Sequence, residues 1–214
     1  MHISTVSNNT SKLPILVPEP SSELAEFCGI MLGDGGISKY QVAVTLHSVD
    51  DKEYSVFVSD LIEKLFGIFP GCYKRISAQA ITLVVSRIKL VEFLTEICGL
   101  KSGNKIIQSA DMPDWIKENT DFKIACVRGL VDTDGSVFTH RYISKDKEYT
   151  YKKLSFTSMS EPLLHSVLDT LQEIGLHSRI GSNHDIRIDS KADMQAYFTE
   201  IGSHNPKHLK RFAT

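Results

Sequence analysis

The chain has 214 residues, 42% of them hydrophobic and 23% charged, which is too much apolar material for a disordered chain and enough for one large domain or two compact halves. No apolar run reaches the roughly 18 residues of a membrane helix, and MHISTVSNNTSKLPILVPEPSS has no basic signal-peptide start, so a cytoplasmic protein without membrane contact is predicted. The net charge of −2 is unlike the basic excess of most nucleic-acid binders, and residues 1–107 carry 10 basic against 11 acidic side chains. Any such binding face must therefore be built by segregating charge within the fold.

Residues 1–21, interrupted by prolines, read as an extended N-terminal arm. An apolar helix follows over 24–32 and ends in Leu32-Gly33-Asp34-Gly35. Then come a strand in VAVTLHS (42–48), an amphipathic helix over 52–68, a strand in ITLVVS (81–86) and a second helix over 89–97. The proline-bearing segment 108–121 reads as a linker. The same succession then repeats. FKIACVRGLVDTDGSVF (122–138) gives a helix ending in Asp132-Thr133-Asp134-Gly135, followed by a strand at 153–160, a helix at 161–176, a strand at 185–190 and a helix at 192–201. FLTEI (93–97) and YFTEI (197–201) are the clearest echo between the halves. Two homologous units, 22–107 and 122–214, predict a monomer with internal pseudo-twofold symmetry. The four cysteines show no zinc-ligand spacing and read as free buried thiols.

Alternation in the strands separates two faces. Val42, Val44 and Leu46 form an apolar face, and Ala43, Thr45 and His47 lie opposite. By this pattern Thr45, His47, Arg75, Thr82, Thr157, Arg179 and Arg187 are candidates to meet a ligand. A longer basic hairpin over 140–153 adds Arg141 and Lys152, beside Lys145, Lys147 and Lys153, as candidates to embrace a nucleic-acid backbone.

Both apolar helices carry a glycine at the same place, Gly29 and Gly129, where a bare backbone lets another helix approach. Both end in Asp-Gly, which predicts a glycine in the left-handed region stopping each helix. Side-by-side packing would bring Asp34 and Asp134 to one end of the interface. Two carboxylates beside two helix C-termini attract hard divalent cations.

FCGIMLGDG (27–35) and VRGLVDTDG (127–135) resemble the two signature motifs of the LAGLIDADG homing endonucleases, the first in the Leu-Gly-Asp-Gly variant. The repeat that carries the resemblance spans about residues 22–212. It implies an α+β fold of two αββαββα halves, with the motif helices at the interface and two antiparallel sheets forming a saddle over duplex DNA. It implies site-specific cleavage of both strands of a long asymmetric target with Mg²⁺, for which Mn²⁺ can substitute. Asp34 and Asp134 take the place of the catalytic metal ligands, with Gly33 and Thr133 beside them in the metal site. Asp132, whose counterpart is Leu32, keeps a supporting role at most. Members also place one lysine per half at the active site. GLKSGNK (99–105) offers Lys105 and SHNPKHLKRF (203–212) offers Lys207, lying 71 and 73 residues after Asp34 and Asp134.

Three rivals are weaker. LVDTDGSVF also resembles the nucleophile motif of haloacid dehalogenase phosphatases, but that leaves the repeat unexplained. An intein would need splicing residues that the chain does not show. A catalytically silent relative acting as an RNA-splicing maturase or DNA-binding regulator would share the fold, but retention of both acids and both lysines favours cleavage.

Overall fold

The computed structural model describes residues 13–105, 107–181 and 184–214; residues 1–12 of the predicted arm lie outside that range. Its two long apolar runs are helices with side-chain caps. In α1 (Ser22–Leu32) the Ser21 hydroxyl accepts from Leu24 N at 3.2 Å, and in α5 (Thr120–Asp134) the Asn119 side chain accepts from Phe122 N at 3.1 Å. Both are buried on most sides because they pack on each other. A Cβ on Gly29 would stand 2.1 Å from Cys126 O, and one on Gly129 would stand 2.3 Å from Glu26 O. The two contacts are the same contact displaced by one hundred residues, which is what a twofold axis between the helices produces.

Each motif helix feeds a four-stranded antiparallel sheet. The first holds β1 (Gly35–Ile37), β2 (Val42–His47), β3 (Gly71–Arg75) and β4 (Ala80–Val85) in the order β1-β2-β4-β3. The second holds β5 (Gly135–Ser144), β6 (Lys147–Thr157), β7 (Ser178–Ile180) and β8 (Asp185–Ile188) in the matching order β5-β6-β8-β7. Val42, Val44, Leu46, Ile81 and Leu83 from one sheet, and Val137, Leu154, Phe156, Ile186 and Ile188 from the other, are buried in one hydrophobic core with the helices. Helices α2 (Lys52–Phe66) and α6 (Glu161–Glu173) add their apolar faces, Tyr54, Val58, Leu61 and Leu65 and then Leu163, Leu164, Val167 and Leu171, at the three- and four-residue spacing of an amphipathic helix. Each half closes with a further helix. Helix α3 (Ile88–Glu92) continues as wider π-helical turns over Phe93–Ile97, and α7 (Lys191–Glu200) is regular throughout. The helix-strand-strand-helix-strand-strand-helix order of each half is thus as the sequence predicts.

Several details differ. The linker carries a short helix, α4 (Asp114–Lys117), and a last helix, α8 (Pro206–Ala213), packs against β5. Neither Gly35 nor Gly135 lies in the left-handed region. They are glycines for lack of space: a Cβ on Gly35 would lie 2.4 Å from Met31 Cα, and one on Gly135 would lie 2.4 Å from Val131 O. Three cysteines are buried as predicted, but Cys72 is exposed on β3. Among the described residues no helix is long and apolar enough to cross a membrane.

The helix pair is not symmetric in its side chains. Glu26 is buried at 3% exposure, and its carboxylate accepts from Arg128 Nη1 at 3.0 Å and pairs with His204 Nδ1 at 2.6 Å. The positions related to Glu26 and Arg128 by the repeat are Cys126 and Cys28. An ion pair therefore fills one side of the axis and thiols the other. Replacing Arg128 with methionine leaves a buried carboxylate without its guanidinium and is expected to cost about 3 kcal/mol in urea unfolding at pH 8. Lowering the pH should recover part of this loss. Glu26 raises the His204 pKa, so the stability that imidazolium adds is complete below the ordinary histidine value and fades as pH rises through the raised one.

Candidate active site

The close crossing of α1 and α5 continues to their C-terminal ends. A Cβ on Gly33 would meet Thr133 Oγ1 at 2.0 Å and Asp134 Oδ2 at 3.3 Å, so the two motif ends touch and only a glycine fits beside Thr133. Thr133 itself turns its hydroxyl back, donating to Gly129 O at 3.0 Å and Leu130 O at 2.9 Å. Among the described residues the side chains of Asp34 and Asp134 accept no hydrogen bond and close no ion pair. Burial, then the charge of Asp134, pushes the Asp34 carboxyl up to about 7, and burial also raises Asp134. A half-buried Asp34 whose proton affinity is raised by its neighbour, and an exposed Asp134 beside it, both lacking donors among the described residues, form a site with room for a positive charge.

Both predicted lysines are at this place, in different surroundings. Lys105 Nζ donates to Leu32 O at 3.0 Å and to Gly33 O, the carbonyls at the end of α1. Burial holds its pKa below the usual lysine value, against the pull of Asp134 and Asp34. Lys207 Nζ instead lies 2.7 Å from Asp51 Oδ1. Asp51 precedes α2 yet does not cap it. Its oxygens accept from Lys207, from Asn205 Nδ2 at 2.8 Å and from His47 N at 3.2 Å. Burial tends to raise the Asp51 pKa, but the hydrogen bonds from Lys207 and Asn205 hold it below the ordinary carboxylate value.

Asp132 stands apart from the two motif-end acids. It is wholly buried and accepts from Ser203 Oγ at 2.5 Å and His204 N at 2.7 Å, and its carbonyl accepts from Asn205 Nδ2 at 2.9 Å. It anchors the turn that leads into α8 and so places Lys207. Glu26, Asp132 and His204 together bring three potential metal-ligand atoms within 4.8 Å of one another. Arg128, Ser203 and backbone N–H donors already occupy those oxygens, so the cluster is a structural hydrogen-bond network.

The two sheets present polar faces away from the core. On the first, Thr45 and Thr82 are cross-strand partners with hydroxyls 3.2 Å apart, and Arg75 shares their face through the alternation of β3. His47 Nδ1 accepts from Asp50 N at 3.1 Å, which leaves Nε2 to donate to Gln79 Oε1 at 3.3 Å. On the second, Thr157 lies with Arg187 and Arg179, which face each other across β7 and β8. Both arginines are partnered by acids, Arg187 with Asp185 at 2.6 Å and Arg179 with Asp189 at 2.8 Å. Arg141 and Lys152 are not brought to this face. They alternate with it on β5 and β6, on the side of Val137 and Leu154, and Lys152 donates to Thr139 Oγ1 at 3.0 Å. The outer face of that hairpin carries stacked rings instead, Tyr142 lying 5.2 Å from Tyr149 and 5.9 Å from Tyr151.

Sequence reasoning missed Asp51, Asn205, Glu26 and Arg128. The last two had a visible signal: each is a lone charge in an apolar helix that has to be buried, so a partner was required. Asp51 and Asn205 had none, because 154 residues separate them.

Residues 121–202 match the family model of a LAGLIDADG-like domain. No curated protein sequence matches the chain significantly. Among solved structures the fold is similar to that of I-DmoI in complex with DNA and Ca, with a TM-score of 0.58 and 17% identity over 90% of this chain and 98% of that one. It is also similar to a structure of I-DmoI in complex with its target DNA in the presence of Mn, with a TM-score of 0.55 and 20% identity over 87% and 97% of the two chains. The meganuclease I-SmaMI bound to uncleaveable DNA gives a TM-score of 0.55 and 13% identity over 91% and 87%. At these identities the likeness establishes a shared fold.

Proposed function

We propose that the chain is a two-motif, single-chain member of the LAGLIDADG family and a site-specific DNA endonuclease cutting both strands of a long asymmetric duplex with a divalent metal ion, a reading supported by the family-model match over 121–202 and by the shared fold. The observation that carries the reading is the meeting of the two motif ends, which brings together Asp34 and Asp134, both without a hydrogen-bond or ion-pair partner among the described residues. The similar structures that hold DNA support duplex DNA as the partner.

The donor set fits a hard cation. It consists of the carboxylates of Asp34 and Asp134, all oxygen, which suits Mg²⁺ or Mn²⁺, while Lys105 Nζ takes the carbonyls of Leu32 and Gly33 beside them. When bound, such an ion polarises the scissile phosphate and lowers the pKa of water. Asp34 and Asp134 would hold it, and Gly33 and Thr133 contribute by letting the two helix ends meet. Lys105, fixed by neutral carbonyls beside both acids, is placed to stabilise negative charge developing on phosphate. Thr45, His47, Arg75 and Thr82 in one half, and Thr157, Arg179 and Arg187 in the other, face the duplex, and their difference between halves implies an asymmetric target. Asp185 and Asp189 neutralise much of the second face. Affinity there rests on hydrogen bonding and shape more than on net charge.

The test is selection of cleaved molecules from a randomised duplex library with Mg²⁺, run beside Asp34→Ala and Asp134→Ala. Cuts in both strands at one long motif, lost in both variants, are expected. Enrichment by binding without cuts would sink the nuclease reading and leave a binding protein.

A further inference from the structure

The two halves deliver their lysines into unlike surroundings, and this difference has a chemical consequence. Helix α6 is preceded by Ser160, whose hydroxyl donates to Ala110 O at 2.5 Å, close to Lys105. The related position before α2 is Asp51. An aspartate is a favoured residue at a helix start because its carboxylate accepts from the first free N–H groups. Asp51 makes no such bond and directs both oxygens at Lys207, Asn205 and His47 N. A local preference set aside at a candidate site marks a residue held for something other than its own helix.

We propose that Asp51 is a positioning residue that sequesters Lys207, and that the two strands of the substrate are therefore cut at unequal rates, the strand served by Lys105 first. The inference rests on the endonuclease reading above. Lys207, 14% exposed, has a carboxylate at 2.7 Å that cancels its charge locally, and the same carboxylate adds negative charge near Asp34. Lys105 closes no ion pair among the described residues and donates instead to two neutral carbonyls, which leaves no carboxylate in contact to compete with a phosphate. Asn205 holds the arrangement closed. It bonds Asp51 and the Asp132 carbonyl at once, so the pair is fixed to the end of α5 and does not swing as an exposed surface ion pair would. Asp51→Ser copies the other half, and Asp51→Asn keeps the side chain's shape without its charge.

Two measurements test this. In the first, the metal-free protein without DNA is acetylated with a limiting reagent, and the labelling of Lys207 relative to Lys105 is read by mass spectrometry. Both variants are expected to raise that ratio at least threefold; an unchanged ratio overturns the proposal whether or not the protein cuts DNA. In the second, a duplex recovered by the cleavage selection carries a different 5′ label on each strand. Wild-type protein is expected to accumulate a nick in one strand, and Asp51→Asn to shorten the life of that nick at least threefold. Equal strand rates in the wild type, or a slower second cut in Asp51→Asn, would overturn it. A wild-type protein that cuts no duplex sinks the endonuclease reading and the strand order with it, leaving the labelling to decide the ion pair alone.

Discussion

Replacing Gly129 with alanine is expected to abolish folding at 37 °C, or to cost at least about 4 kcal/mol where a cooperative transition survives. The added methyl would sit 2.3 Å from Glu26 O and 2.9 Å from Ile30 N. Both are backbone atoms of a helix, so no rotamer change relieves the overlap, and the helices have to move apart. Separation would also open the contact at Gly29 and withdraw Gly33 from Thr133, so the two carboxylates would no longer share one site. Gly29→Ala is expected to behave the same way, with its methyl 2.1 Å from Cys126 O. Gly36→Ala is the control. It has nothing within 4 Å of the added carbon and should melt within about 0.5 kcal/mol of the wild type. Circular dichroism melts of the three variants decide the matter, and a wild-type transition for Gly129→Ala would show that the helix pair is not the rigid centre described above.

That sensitivity explains why so much was legible in the sequence. Helix packing this close needs glycine at one position per helix, an apolar surround and polar residues where the interface reaches solvent. Those requirements left Ala25, Gly29, Asp34 and Gly35 repeated one hundred residues later as Ala125, Gly129, Asp134 and Gly135 in an apolar setting, and the repeated element order follows from the same pairing. The strand faces were legible because a period of two is enforced by the core beneath each sheet. What stayed hidden depends on pairs far apart in the chain. Nothing near Asp51 announces that its partners are Asn205 and Lys207, and an aspartate before a helix looks like an ordinary cap. Gly35 and Gly135 were assigned the wrong reason because a stop by left-handed backbone and a stop by crowding leave the same residue behind. The side of the hairpin that Arg141 and Lys152 occupy was hidden for a related cause. Counting charges along a hairpin does not say which side faces out, and the register with Val137 and Leu154 does.

Asp34→Asn is expected to end cleavage, by a factor of at least about 10³, and to stabilise the metal-free protein. The two effects have one origin. With no metal, the Asp34 carboxyl is raised to about 7 by burial and by Asp134, far above the roughly 3.9 of an unfolded chain. A folded-state pKa above the unfolded one gives stability that is complete below about pH 3.9 and is lost as pH rises through the folded value. Asparagine, which never ionises, escapes that loss. Its advantage should be absent near pH 4, grow between there and pH 7, and level off above at about 1–3 kcal/mol, less than the full shift because the site is partly open to water. A divalent ion should reverse the ranking, because it binds the folded wild type and adds about 2.7 kcal/mol at a hundred times its dissociation constant. Thermal melts of both proteins at pH 5 and pH 8, in chelator and in Mg²⁺, give the full set. A variant no more stable than wild type at pH 8 in chelator would mean that burial and the charge of Asp134 do not disfavour the ionised Asp34 carboxylate in the folded protein. An ion that stabilised both proteins equally would place it away from Asp34.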